Sequence, residues 1–135
     1  MKRHVIFGVL AGVLIPMGLA YGGAHSSVEV QVVLDATNVP ISAFGNLADA
    51  FNSADSNQYI GCGGSPTYGW CQAHDATTDP DGLTSAFCFT NDPDKIAHIR
   101  SVSQDSYVSF HIDATTGECT SISVSHNSFY APKGH

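Results

Sequence analysis

Four cysteines constrain this chain more than any other feature: Cys62, Cys71, Cys88 and Cys119, with none before position 62. An even number of cysteines in a small exported chain reads as a disulfide framework. A four-thiolate zinc site needs cysteines two to four residues apart, and no two here are that close. Four cysteines allow three pairings, and spacing alone does not choose among them. A hairpin between a strand ending at Cys62 and one starting at Trp70 favours Cys62–Cys71, which leaves Cys88–Cys119. In the chain-entropy picture, each bridge stabilises by roughly 2.5–4 kcal/mol, the larger loop more.

The export context comes from the N-terminus. Lys2, Arg3 and His4 make a basic start, residues 5–15 are an apolar run without a charge, and Pro16 ends it among small residues. A basic region, a short apolar core and a small-residue stretch form a secretory signal peptide over 1–24, cut after Ala20 or Ala24. A membrane anchor needs about 20 apolar residues, more than Pro16 and the following glycines allow. No cysteine stands near position 20 for lipid attachment. The expected product is an exported protein, periplasmic or extracellular, without a membrane span after signal removal. Residues 25–135 suffice for one small domain.

Charge narrows the partners. The full chain carries 5 Lys+Arg against 12 Asp+Glu, a net −7. Signal removal leaves Lys95, Arg100 and Lys133 against the same 12 acids, a net −9. Nucleic acid and anionic membrane surfaces are therefore excluded as partners, because both need clustered cations. Hydrophobic content of 43% matches a folded chain.

Periodicity indicates a mainly β (α+β) fold: an antiparallel sheet of about five to seven strands with one short helix near 92–103, stapled by two disulfides. Residues 28–34 alternate and form a strand with Val28, Val30 and Val32 inward. Residues 41–51 are ambiguous. Phe44, Leu47, Ala48 and Phe51 make a helical stripe with Ser42 as a cap, whereas a strand over 45–52 fits equally. Further strands are expected at 58–62, 69–74 and 83–90, with a loop at 63–66 and a tight turn at 79–82. Asp92 as cap, Pro93 in the first turn and Asp94 near the dipole start a helix that buries Ile96, Ile99 and Val102. Residues 106–113 and 118–125 form a hairpin with Val108, Phe110, Ile112, Ile122 and Val124 inward. A bulge at Gly117, pairing Phe110 with Thr120 and Val108 with Ile122, would give it one apolar face.

Candidate functional residues are few. His74, His98, His111 and His126 have no partner histidine two to four residues away and read as solvated surface groups. His25 differs. Cleavage after Ala24 makes it the first residue, and an N-terminal histidine binds copper through its amine and ring together. This arrangement resembles the histidine brace of copper-dependent polysaccharide monooxygenases and periplasmic copper-binding proteins, and the resemblance implies a copper site at His25. Residues 75–82 cluster carboxylates beside Gly82, which suits a solvated turn or a loose calcium loop. The EF-hand pattern fails, since Thr77 and Cys88 fall where its end acids belong.

Tyr68 and Trp70 flank Gly69. Either Trp70 packs in the core against a disulfide, or the pair stacks on a sugar ring or other apolar ligand. There is no Gly-x-Ser-x-Gly elbow and no His-Glu-x-x-His. The expected role is therefore non-enzymatic: a binding module or surface component with a small molecule, glycan or protein as partner and no resident cofactor. Two alternatives stand beside it. One is a self-assembling surface subunit that lends strand 28–34 to a neighbour's sheet edge; the other is a copper protein using His25.

Overall fold

The structure, a computed structural model, describes residues 26–75, 84–127 and 129. The signal segment 1–24, His25, and the turn and calcium-loop residues 76–82 lie outside the described residues. Seven strands and two helices occur among those described: β1 (Gln31–Leu34), β2 (Pro40–Asn46), α1 (Leu47–Asn52), β3 (Tyr59–Gly64), β4 (Gly69–His74), β5 (Ser85–Thr90), α2 (Pro93–Arg100), β6 (Tyr107–Ile112) and β7 (Cys119–Ser125). All named strand pairs are antiparallel. The strands divide between two sheets, ordered β1-β2-β6-β7 and β3-β4-β5. The mainly β, antiparallel expectation holds, and a six-residue second helix, α1, joins it.

The sheets share one core. Ala43, Val108, Phe110 and Ile122 enter from the four-stranded sheet, and Ile60, Cys71, Ala73, Ala86 and Cys88 from the three-stranded one. The first set supplies the bulk, with Phe110 fully enclosed at 0% exposure. The second set is mostly Ala and Cys, small side chains that leave room for it. Cys88–Cys119 bridges the two sheets, and Cys62–Cys71 joins directly opposed residues of β3 and β4. Both pairings are the expected ones.

Local chemistry explains where elements begin and end. The ambiguous stretch 41–51 is a strand that becomes a helix at Asn46, whose side chain accepts the Asp49 N–H at 3.1 Å and caps α1. The helical stripe read through Phe44 and Phe51 is not used, since Phe44 lies in β2 and Phe51 is 90% exposed. The strand expected from residue 28 starts at Gln31. Before it, side chains take the place of a strand partner: Asp49 accepts the Val28 N–H at 2.9 Å and Gln58 accepts the Val30 N–H at 3.0 Å. Beyond it, β1 pairs with β2 of its own sheet. Helix α2 follows its expected signals, with Asp92 accepting from the Asp94 and Lys95 N–H groups and Ile96 and Ile99 buried.

The β6–β7 hairpin corrects the expected register. Gly117 adopts φ +77, a left-handed conformation that glycine takes without strain, and Asp113 N–H bonds the Glu118 carbonyl at 2.9 Å. Phe110 then faces Ile122 rather than Thr120, and Val108 faces Val124 rather than Ile122. The irregularity sits between His111 and Ile112, so the extra residue is Thr120, not Gly117. The cause is Cys119. Strict alternation that turns Ile122 inward turns Cys119 outward, away from Cys88. One extra residue between them brings both inside, at 2% and 7% exposure.

Candidate functional site

Strand register assembles an aromatic outer face on the three-stranded sheet. Inward Cys71 stands between Cys62 on β3 and Cys88 on β5, so residues one position away on each strand point outward. Three rows result: Tyr59–His74–Ser85, Gly61–Gln72–Phe87 and Gly63–Trp70–Phe89. Tyr68, two residues before Trp70, continues the face beyond the last row. The turn before β4, closed by the Ser65 N–H on the Tyr68 carbonyl at 2.7 Å, carries it there. Its ring lies nearly parallel to Phe89, 6.4 Å away at 16°.

Each aromatic ring has a different seat. The Trp70 indole lies over Gly63, where a Cβ would come within 2.8 Å of Cζ2. A bare glycine under an aromatic cross-strand neighbour is what keeps the indole flat on the sheet. Gly61 has nothing within 4 Å of its would-be Cβ, so the face dips between the first and third rows. Phe87, at the end of that middle row, is 51% exposed, and Tyr68 is 38% exposed. Tyr59 sets its ring edge-on to His74 at 4.6 Å, and burial raises its phenol pKa, which keeps it neutral.

Polar groups stand among the rings. His74 Nδ1 and Ser85 Oγ share a hydrogen bond of 2.7 Å. Among the described residues, neither the Gln72 side-chain amide nor the Trp70 indole N–H has a hydrogen-bond partner. None of the outward residues in the three rows is Asp, Glu, Lys or Arg. Acids border the rows at two points: Asp75 follows His74 and pairs with Thr84, and Glu118 stands exposed beside Phe89 at the sheet edge.

Helix α2 fixes this face from behind. Gly69 is buried on the inner side of β4, and a Cβ there would stand 2.5 Å from Ile99 Cδ1 and 3.5 Å from Ile96 Cγ1. The helix therefore rests directly on the backbone preceding Trp70, and the Cys62–Cys71 bridge clamps the residue that follows it on the same inner face.

The sequence candidates Tyr68 and Trp70 lie on this outer face, with Tyr68 against Phe89. The alternative of a core tryptophan is corrected, because Trp70 lies on the face opposite the Cys62–Cys71 disulfide and outside the core cluster. Phe87, Phe89, Tyr59 and Gln72 were missed. The available signal was parity, since Phe87 and Phe89 alternate with Cys88, and a cysteine in a bridge must face inward.

Other candidates remain apart. His25 and most of the 75–82 loop lie outside the described residues; Asp75 accepts the Thr84 N–H at 3.2 Å. His98 and His111 are exposed surface groups, as expected. His126 Nδ1 meets Ser106 Oγ at 3.2 Å and Ser103 Oγ at 3.4 Å. That cluster has the residue types of a hydrolytic triad without its arrangement: Ser106 is fully buried, and Ser103 donates its hydroxyl to Asp105 at 2.7 Å. It ties the loop after α2 to the end of β7. Among the described residues, no group of three or more His, Cys, Asp or Glu could hold a metal ion. No protein-family model, curated protein or solved structure matches this chain.

Proposed function

We propose that this protein is an exported, disulfide-stapled binding module that takes its ligand on the aromatic outer face of β3–β4–β5. One observation carries the reading: five aromatic rings share one sheet face, with Phe87 at 51% and Tyr68 at 38% exposure. Fully burying a phenylalanine side chain is worth about 1.5–3 kcal/mol. Phe87 leaves about half of that unrealised in the free protein, and a ligand that covers it recovers the difference. Rings held on a sheet by a disulfide and a packed helix also lose little entropy when a ligand arrives. Two disulfides support an oxidising compartment, and the signal-like N-terminus supports export.

Trp70 is the single tryptophan, so its fluorescence reports on this face directly. Acrylamide should quench it strongly, and the apolar dye anilinonaphthalene sulfonate should bind with a shift in emission that Phe87→Ala reduces. Weak quenching together with no dye binding sinks the reading.

A further inference from the structure

We infer that the ligand class of this face is a neutral glycan, bound by ring stacking on Trp70, Phe87, Phe89 and Tyr68 with its hydroxyl rim read by Gln72 and the His74–Ser85 pair. This rests on the aromatic face being the binding face. A sugar ring is amphipathic. Its C–H surface stacks on flat aromatic rings, and its hydroxyl edge needs uncharged donors and acceptors within reach.

The register supplies both. Trp70 and Phe89 share the third row, Phe87 ends the second, and Gln72 stands beside Phe87 with no hydrogen-bond partner among the described residues. Same-face rows on a strand lie about 7 Å apart, so three rows span about 14 Å, room for more than one ring of an extended chain. The dip over Gly61 lies between the ring-rich end and the polar end, where a sugar residue can sit low enough to meet Gln72 from one side.

Charge selects among glycans and against other partners. None of the outward residues of the three rows is Asp, Glu, Lys or Arg, the edge residue beside Phe89 is the acid Glu118, and the chain carries a net −7. A uronate or sulfated chain meets repulsion and no cation to pair with. A lipid surface would bury Gln72 and the indole N–H without partners, at a cost of about 1–3 kcal/mol for each group by protein mutational measures. A hydroxyl-rich neutral ligand satisfies them.

The test uses the mature protein purified from the exporting cell. Cellohexaose, chitohexaose and xylohexaose are titrated while Trp70 emission is followed, with oligogalacturonate and neutral phosphatidylcholine vesicles as competing classes. At least one neutral hexasaccharide should shift the emission, with a Kd that changes less than about twofold between low and moderate salt because no ion pair forms. Phe87→Ala should weaken that Kd about tenfold, or about 1.4 kcal/mol. Gln72→Ala should weaken binding while leaving dye binding intact.

Dye binding at the face without any neutral saccharide binding overturns the glycan class and leaves the face standing. Loss of both dye and saccharide binding overturns the face itself. Equal affinity for oligogalacturonate, or binding to the vesicles in preference to saccharides, also overturns the neutral-glycan assignment.

Discussion

Removing the two disulfides separately should produce unequal losses, with the inter-sheet bridge the costlier. Cys62–Cys71 closes a separation of 9 residues and Cys88–Cys119 one of 31. Loop-closure entropy alone then assigns about 2.6 kcal/mol to the first and about 3.7 kcal/mol to the second at 25 °C. Packing widens the gap. Cys88 and Cys119 are both buried, at 0% and 2% exposure, whereas Cys62 is half-buried. Replacing the buried pair by alanine leaves a void between the sheets worth about a further 1 kcal/mol. The expected loss is therefore about 5 kcal/mol for Cys88→Ala/Cys119→Ala and about 3 kcal/mol for Cys62→Ala/Cys71→Ala. Against a typical total of about 5–15 kcal/mol, the first leaves a small domain marginal and the second leaves it folded. Urea melts followed by circular dichroism give both values. At about 4–8 °C per kcal/mol, the thermal midpoints of the two variants should differ by roughly 8–16 °C. Equal losses, or a larger loss for the hairpin bridge, refute the reasoning. So does a wild-type midpoint that stays unchanged in strong reductant.

Gly69→Ala should cost about 1–3 kcal/mol, because its Cβ meets Ile99 Cδ1 at 2.5 Å inside a packed seam; a double-mutant cycle with Ile99→Val should recover part of the loss. Asn46→Ala removes the cap that ends β2 and starts α1, and urea melts should show a loss of about 1–2 kcal/mol. Among the described residues, three carboxyls titrate below the ordinary aspartate range: Asp35, chiefly through the Val39 N–H, Asp92, chiefly through Lys95, and Asp105, chiefly through the Ser103 hydroxyl. A depressed folded pKa contributes stability that is complete above the unfolded value near 3.9 and lost as pH falls through the folded one. The thermal midpoint should consequently fall on acidification below about pH 4, and Asp92→Asn should make that fall shallower in a pH series of thermal melts.

Much of this architecture follows from local chemistry that any reader of the chain can see. Asp92-Pro93-Asp94 starts a helix with its own atoms, and Val108, Phe110 and Ile112 alternate whatever lies opposite them. The hairpin register is different in kind. Nothing local to 113–122 places the extra residue at Thr120; the demand comes from Cys88, about thirty residues earlier and in the other sheet. Residues 41–51 carry patterns for a strand and for a helix, and the capping bond at Asn46 divides them.

The aromatic face inverts the usual rule for strands. In β5 the large residues Phe87 and Phe89 turn out and the small residues Ala86 and Cys88 turn in. Hydrophobicity alone reads Phe as core and puts the wrong side of the strand inside. Two facts reverse that reading. Cys88 must reach Cys119, and Phe110 from the opposite sheet already fills the space between the layers, so only small residues fit beneath it. Once β5 is turned by its cysteine, β4 and β3 follow by register, and Trp70 and Tyr59 come out beside the phenylalanines. The disulfide that holds the sheets together therefore also decides which rings face solvent. Cys88→Ala/Cys119→Ala tests this link as well as stability. If the core packing around Phe110 suffices to keep β5 turned, Trp70 quenching and dye binding should match the wild type below the variant's unfolding midpoint. A loss of both in a still-folded variant means that the bridge itself holds the rings outward.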